Sequence, residues 1–253
     1  MPRTFLTAEW RWLAMLNYRV EPELLLPHVP AGTELDSWNG ATYVSVVGFL
    51  FRDTRVRGVP VPFHRHFEEV NLRLYVRRTA GSEVRRAVTF ICELVPRRAI
   101  ATIARLSYNE PYTALPMHHR LRPGDARTGA PSVVEYRWRY RGERCAISVE
   151  PVGAAQPLEA GSEEEFIAEH YWGYTRQRDG GTVEYRVDHV PWRVWQVRNA
   201  RLEGDVAPLY GPELAAAISG TPASAFLADG SPVTLFVPER LQVAPRERAL
   251  TPR

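Results

Sequence analysis

Between Glu69 and Val76 polar and apolar residues alternate without a break. Val70, Leu72, Leu74 and Val76 fall on one side, and Glu69, Asn71, Arg73 and Tyr75 on the other, because successive side chains of a strand point to opposite faces. The spacing predicts a strand with an apolar packing face and a second face carrying a carboxylate, an amide, a guanidinium and a phenol, each about 7 Å from the next. That polar row has two readings. It is a solvated face of an antiparallel sheet, or it is a barrel wall with the row lining a cavity. Periodicity does not separate the two. Asn is depleted in strands, so Asn71 is the residue that asks for a reason.

The same rule predicts strands over Trp10–Tyr18, with Trp12, Ala14 and Leu16 on one side, over Ala41–Phe51, and over Arg86–Leu94 as partner of the Glu69 strand. Met117–Arg122 and Trp192–Leu202 read as further strands, and Gly58–Pro62 as loop. Hairpins are expected for Val133–Tyr140 with Cys145–Val152, for Tyr174–Arg178 with Val183–Asp188 across Asp179-Gly180-Gly181, and for Ala223–Leu227 with Val233–Val237 across Ala228-Asp229-Gly230. Asn39-Gly40 supplies the positive φ angles of a tight turn. Short helices are expected at Pro22–Leu26, at Pro96–Leu106 with Ile100, Ile103 and Leu106 on one face, from Ser162, and at Pro212–Ser219. Ser162 with Glu165 three residues later is a capping box. Many strands and few short helices predict an α+β fold on a mainly antiparallel sheet. One domain over residues 1–240 is expected, with 241–253 as a polar, proline-containing tail.

Composition narrows the chemistry. All 32 Lys and Arg positions are arginine, so no side-chain amine is available for a Schiff base. The net charge of +3, with arginines scattered among acids, leaves no basic stripe for nucleic acid. No apolar run is long enough to cross a bilayer, and the first residues carry no apolar signal core. A cytoplasmic protein without a membrane partner is expected. Cys92 and Cys145 stand in separate expected strands and read as free thiols in a reducing compartment.

The histidines are the remaining candidates. His64, His66 and Glu68 could line one side of a strand, but such a row spans about 13 Å, too wide for one ion. No metal and no cofactor is expected. His118 and His119 point to opposite faces if extended, so at most one reaches a given site. His170 shares a helix face with Phe166 and Ile167. It is either a partly buried histidine near the last helical carbonyls or a pocket residue.

Phe67-Glu68-Glu69-Val70-Asn71-Leu72-Arg73-Leu74-Tyr75-Val76 resembles the signature strand of the YqjF-like family of uncharacterised bacterial proteins. Leu26-Pro27-His28-Val29-Pro30-Ala31-Gly32 followed by Trp38-Asn39-Gly40, then the Glu165–Tyr174 stretch, then Ser224–Ser231 are similar to further pieces of that family, in the same order. The family is similar in fold to the acetoacetate decarboxylases. The resemblance implies a cone-like, mainly antiparallel β-barrel with helices packed outside and a ligand cavity within, which favours the cavity reading of the polar row. It matches Glu69 to a glutamate those enzymes keep and Arg19 to an arginine near the chain start. Their paired lysines fall where this chain has Pro111-Tyr112-Thr113, so the imine mechanism does not carry over.

The expected function follows. A barrel cavity takes a small acidic or apolar metabolite, with a carboxylate as the expected head. Glu69 would act as acid or base, Arg73 or Arg19 as a carboxylate clamp, and Tyr112 as donor to an oxyanion. Asn71, Tyr75, His118 and His170 would complete the binding wall. Any enzyme would be lyase- or hydrolase-like. The alternatives are a binding protein without turnover and a structural network around a vestigial cavity. Self-association into a homo-oligomer is compatible with all of these. Treatment with a keto acid and borohydride should leave the protein's mass unchanged, except at the N-terminal amine. A reduced adduct mapped to an internal residue would refute the lysine-free reading.

Overall fold

The structure, a computed structural model, describes residues 2–107, 109–125 and 129–242, without the side chains of Ile103, Ala104 and Ser107. All of the expected 241–253 tail except Leu241 and Gln242 lies outside the described residues. The strands in chain order are β1 (Thr4–Arg19), β2 (Glu34–Leu35), β3 (Tyr43–Val56), β4 (Val59–Pro60), β5 (Phe67–Ala80), β6 (Glu83–Val95), β7 (Tyr112–Ala114) and β8 (Met117–Arg122). They continue as β9 (Val133–Tyr140), β10 (Glu143–Pro157), β11 (Trp172–Arg176), β12 (Thr182–Asp188), β13 (Arg193–Glu203), β14 (Ser224–Ala228), β15 (Pro232–Phe236) and β16 (Glu239–Arg240). Among the described residues five short α-helices intervene, α1 (Pro22–Leu25), α2 (Arg98–Ser107), α3 (Glu163–Ala168), α4 (Ala207–Tyr210) and α5 (Pro212–Ala217), with a 3-10 turn over Leu26–His28.

Seven strands close into a barrel in the order β3, β5, β6, β11, β12, β15, β1, with β1 pairing back onto β3. From β1 a flanking sheet continues through β14, β13, β10, β9 and β8. Most pairs are antiparallel, as expected, but β6 pairs parallel with both β7 and β11, so the sheet is mixed. β7 runs parallel to β6 because α2 carries the chain back between them, and β11 does so because the chain returns to the barrel only after β8–β10 and α3.

β1 belongs to both layers. Thr4–Glu9 pairs with β15 in the barrel, and Leu13–Asn17 pairs with β14 in the flanking sheet. Between them the register against β3 shifts at Arg11–Ala14, and Trp12 takes a φ of 57°. Such a bulge bends a strand and turns its twist. It corrects one expectation: β14 and β15 are not a hairpin. They lie end to end along β1, and Ala228-Asp229-Gly230 kinks the chain without reversing it, with Trp10 N–H donating to the Ser231 carbonyl at 2.9 Å. Turn residues mark a break in a strand, and what lies beside the break decides whether the chain turns back. Smaller differences follow the same logic. Val59-Pro60, expected as loop, pairs with Arg55-Val56, and α2 starts at Arg98 and leaves Leu106 79% exposed.

Alternation sorts the side chains into two cores. Val70, Leu72, Leu74 and Val76 of β5 pack with Ala14, Leu16, Val44 and Val46 against Val134, Tyr136 and Ile147 of the flanking sheet. Leu13, Met15, Val47, Phe49, Phe51, Phe67 and Tyr75 point the other way, into the barrel. Phe51 and Phe67 stack at 4.5 Å there, a geometry worth about 0.5–1.5 kcal/mol beyond area burial. α3 packs Phe166, Ile167 and Ala168 onto the barrel core. Its Ser162 hydroxyl accepts from Glu165 N–H at 3.1 Å, while the Glu165 carboxylate accepts from Gly161 N–H at 2.6 Å. This is the expected capping box with the return bond one residue early.

Gly48 of β3 is where the two layers approach most tightly. A Cβ there would stand 2.6 Å from both Tyr136 and Ile147 side-chain carbons. Gly48→Ala should lower stability to urea by about 1–3 kcal/mol through overpacking. Gly220→Ala, which meets nothing within 4 Å, should stay within about 0.5 kcal/mol of wild type. Equal effects of the two changes would show that the layers are not packed as described.

Candidate functional site

The inward face of β5 begins the site. Glu69, Asn71 and Arg73 are buried and line the barrel interior rather than facing solvent. Asn71 lies directly opposite Glu93 of β6 in the strand register, and Glu93 lies opposite Tyr112 of β7. The parallel β6–β7 pairing thus sets the Tyr112 phenol beside both glutamates. Glu110, in the segment entering β7, completes a group of three buried carboxyls. Glu69, Glu93 and Glu110 are 2%, 1% and 7% exposed, and Asn71 is 2% exposed.

Hydrogen bonds hold two of the three. Glu69 accepts from Tyr112 at 2.9 Å and from the Asn71 amide at 3.1 Å. Glu110 accepts from Tyr185 at 2.6 Å and from Thr175 at 3.4 Å. Tyr185 reaches inward because its partner in β11 is Gly173, where a Cβ would collide with the phenol ring at 2.2 Å. The third carboxyl is less well served. Glu93 Oε2 and Asn71 Oδ1 are buried without a partner among the described residues.

Arg73 does not pair with Glu69. Its Nη2 donates to the Ile167 carbonyl near the end of α3 at 2.9 Å, and its Nε donates to the Tyr75 hydroxyl at 3.4 Å. Tyr75 in turn shares a 2.5 Å hydrogen bond with Ser45. Tyr75 therefore holds Arg73 and packs on Phe166 and His170, with ring centroids at 5.3 and 5.0 Å, and does not line the cavity. His170 lies beyond the end of α3, not on a helix face. It lines the cavity with neither ring nitrogen partnered among the described residues.

Two expected site residues stand elsewhere. Arg19 is exposed at the end of β1 and donates to Tyr43 at 3.1 Å, and Tyr43 donates to Glu163 at 3.0 Å. His118 is exposed on β8 in the flanking sheet. Arg19 is the residue matched to an arginine near the chain start, and His118 one of two adjacent strand histidines; both side chains are exposed, outside the barrel interior. His119 bonds Glu68 at 2.6 Å on the exterior, while the His64 ring bonds the Pro62 carbonyl at 2.7 Å, so the His64–His66–Glu68 row does not assemble. Among the described residues no three His, Cys, Asp or Glu side chains are arranged to hold a metal ion, and no helix is long and apolar enough to cross a membrane.

Burial dominates the electrostatics. Desolvation lifts Glu69 from 4.5 to about 7, against the opposing bonds from Asn71 and Tyr112. Glu110 rises to about 7 for the same first reason, opposed by Tyr185 and Thr175. Glu93 is pushed well above the carboxylate range by burial and by the other two carboxyls. Tyr112 is held protonated. Burial, then Arg73 and Arg86, keep His170 neutral. Two cavities meet at this group. An inner one of about 60 Å³ includes Asn71, Arg73, Glu93 and His170. An outer one of about 130 Å³ is walled by Phe5, Leu6, Val56, Val61, Ile100 and Leu235. Glu69, Glu110, Tyr112 and Tyr185 border both, and the outer cavity reaches the surface at exposed Ala99.

Sequence patterning missed Glu93, Glu110, Thr175 and Tyr185. Glu93 had a signal, a lone charge inside the apolar run Ile91-Cys92-Glu93-Leu94-Val95. Glu110 had none, because a loop residue has no period.

Comparison with known proteins agrees with this architecture. Residues 7–232 match the model of DUF2071, an uncharacterized conserved protein family. The chain is 27% identical over 187 residues to the uncharacterized protein YqjF of Bacillus subtilis, covering 72% of each. It superposes on acetoacetate decarboxylase from Legionella pneumophila with a TM-score of 0.68 at 12% identity, over 94% of this chain and 87% of that one. An acetoacetate decarboxylase-like enzyme from Sphingomonas wittichii gives 0.63 at 16% identity, over 94% of both. These likenesses establish a shared fold.

The raised carboxyls make stability depend on pH. Glu69 and Glu110 hold protons when folded that the unfolded chain releases above 4.5. Their contribution is therefore present at low pH and is lost as pH rises through about 7, by up to about 3 kcal/mol for each group. His170 opposes this: kept neutral in the fold, it costs stability as pH falls below its ordinary 6.5. Urea unfolding at several pH values should show wild type losing stability from pH 6 to 8, and Glu110→Gln should flatten that fall. Parallel curves for the two proteins would mean that Glu110 titrates as an ordinary carboxylate.

Proposed function

The chain belongs to the DUF2071 family of uncharacterized conserved proteins, and on that footing we propose that it binds a small carbonyl metabolite inside the barrel and moves a proton on it by lysine-free acid–base chemistry. The observation that carries this reading is Glu69 itself. It is a buried carboxyl poised near neutrality, oriented by Tyr112 and Asn71, at the junction of an apolar cavity and a polar one. A base whose proton affinity matches the surrounding pH transfers protons most effectively.

In the proposed step Glu69 takes a proton from the carbon next to a carbonyl. The C–H electron pair becomes the C=C bond of an enolate, and the carbonyl π pair moves onto oxygen. As Glu69 becomes protonated, the Tyr112 O–H that it had accepted is released to turn to that oxygen, and Arg73 in the cavity lining favours the negative charge. Asn71 holds Glu69 in place, and Tyr75 holds Arg73. The apolar wall of the outer cavity takes the rest of the molecule.

A carboxylate head, expected from Arg73 alone, is less well supported once Glu93 and Glu110 are counted, since three carboxyls then face one guanidinium. Two of that guanidinium's nitrogens already serve α3 and Tyr75. The missing ion pair between Glu69 and Arg73 favours chemistry over a self-neutralised structural pair.

The test is deuterium exchange into the carbons beside the carbonyl of 2-pentanone and of pyruvate in D₂O, followed by proton NMR. Wild type should accelerate exchange with at least one of them, and Glu69→Gln should slow it roughly 100-fold or more, with heat stabilisation by the ketone retained. Exchange that survives Glu69→Gln would remove Glu69 from the chemistry. Stabilisation without any exchange would leave a binding protein.

A further inference from the structure

The polar end of the cavity brings three buried carboxyls and an amide together beside Arg73 and His170. We propose that the ligand of this barrel carries a protonated amine, and that Glu93, Asn71 and Glu110 recognise it while the apolar cavity holds its hydrocarbon part. The proposal rests on the preceding one in placing the ligand inside the barrel, and adds the chemical class.

Three observations converge. First, Glu69, Glu93 and Glu110 are buried together, and no arginine ion-pairs with any of them among the described residues. A buried carboxylate without a cation is costly, and an ammonium arriving between such groups offsets its own dehydration only with such partners. Second, among the unpartnered buried polar atoms that border the cavities, which also include Trp10 Nε1, Thr54 Oγ1 and the His170 ring, two acceptors face each other, Glu93 Oε2 and Asn71 Oδ1. They belong to residues directly opposite each other in the β5–β6 register, whose side chains share the inward face about 5 Å apart at Cβ. A donor standing between them satisfies both. An ammonium brings three donors and no acceptor, which matches this set; a carboxylate brings acceptors only, which does not. Third, the cavity that adjoins the carboxyls has a wall of Phe5, Leu6, Val56, Val61, Ile100 and Leu235. That part of the lining suits an alkyl or aryl group of a few carbons, and besides the shared glutamates and tyrosines only Thr54 and His64 add polar side chains to this wall.

The chain has no lysine of its own to fill this place. The upward displacement of the three carboxyls is what an acceptor group short of a cation is expected to show. Arg73 and neutral His170 face the same inner cavity. Arg73 is turned toward the Ile167 carbonyl and Tyr75, which leaves the Glu93 side for the incoming cation.

Three probes of equal chain length test the proposal on the full chain: n-pentylammonium chloride, sodium pentanoate and pentan-1-ol, in phosphate buffer, by isothermal titration and thermal shift. The ammonium should bind at least tenfold tighter than either of the others, and the preference should survive added salt because the site is buried. Glu93→Gln, which keeps the shape and removes the group that can ionise against the cation, should erase the preference, and Glu110→Gln should reduce it. Circular dichroism checks that each variant folds; the three-probe comparison in wild type needs no variant. Pentanoate or pentanol binding as tightly as the ammonium would overturn the proposal, as would an ammonium preference untouched in folded Glu93→Gln. In those cases binding of 2-pentanone would leave the barrel-binding reading standing. If neither 2-pentanone nor any of the three probes binds, that reading fails with it.

Discussion

Three carboxyl groups enclosed in one barrel without an ion-pair partner among the described residues set the terms for the rest of this protein. An ionised carboxylate stripped of water and of counter-charge is so costly that such groups hold their protons or find donors. Burial raises the proton affinity of all three, and donors reach two of them. Tyr112 and Asn71 serve Glu69, Tyr185 and Thr175 serve Glu110, and Glu93 keeps one oxygen unserved. Gly173 exists as a gap for Tyr185, and the parallel β6–β7 pair exists as a bracket for Tyr112. Even Arg73, the natural neutraliser, is drawn off to tie α3 to the barrel.

The barrel meets that demand through β1. A strand that pairs with β3 along one edge and with both β15 and β14 along the other closes the ring and starts the flanking sheet in one element. The bulge near Trp12 lets its two halves follow different layers. Because the flanking sheet covers the outward face of β3 and β5, those strands are apolar on that face. The polar row is thereby left with a single place to go, the interior. Gly48 marks how closely the layers fit.

The fold neighbours share this closed architecture at sequence identities that carry no chemistry with them. In a chain without lysine the same shell encloses carboxyls, amides and phenols. The scaffold is shared as a packing solution, and the interior decides what enters it.

Local rules read from the sequence were enough for much of this. The period of two located β5 and told its faces apart, the capping box placed the start of α3, and the lack of lysine excluded an imine, because each depends only on neighbours along the chain or on composition. The family resemblance supplied the closed barrel, favoured the cavity reading of the row that alternation had found, and drew attention to Tyr112. Tertiary structure alone decided the rest. Whether the face with Glu69 met water or a cavity depended on strands far away in the chain. Arg19 and His118 proved to lie outside because barrel closure, which no local pattern encodes, assigns inside and outside. Asp229-Gly230 carried a turn signal that became a kink once β1 lay alongside both neighbouring strands. Glu110 came from a loop without periodicity and acquired its role only through the register of β7 on β6. Pattern along the chain determines which way a side chain points relative to its own strand, and long-range pairing determines what it points at.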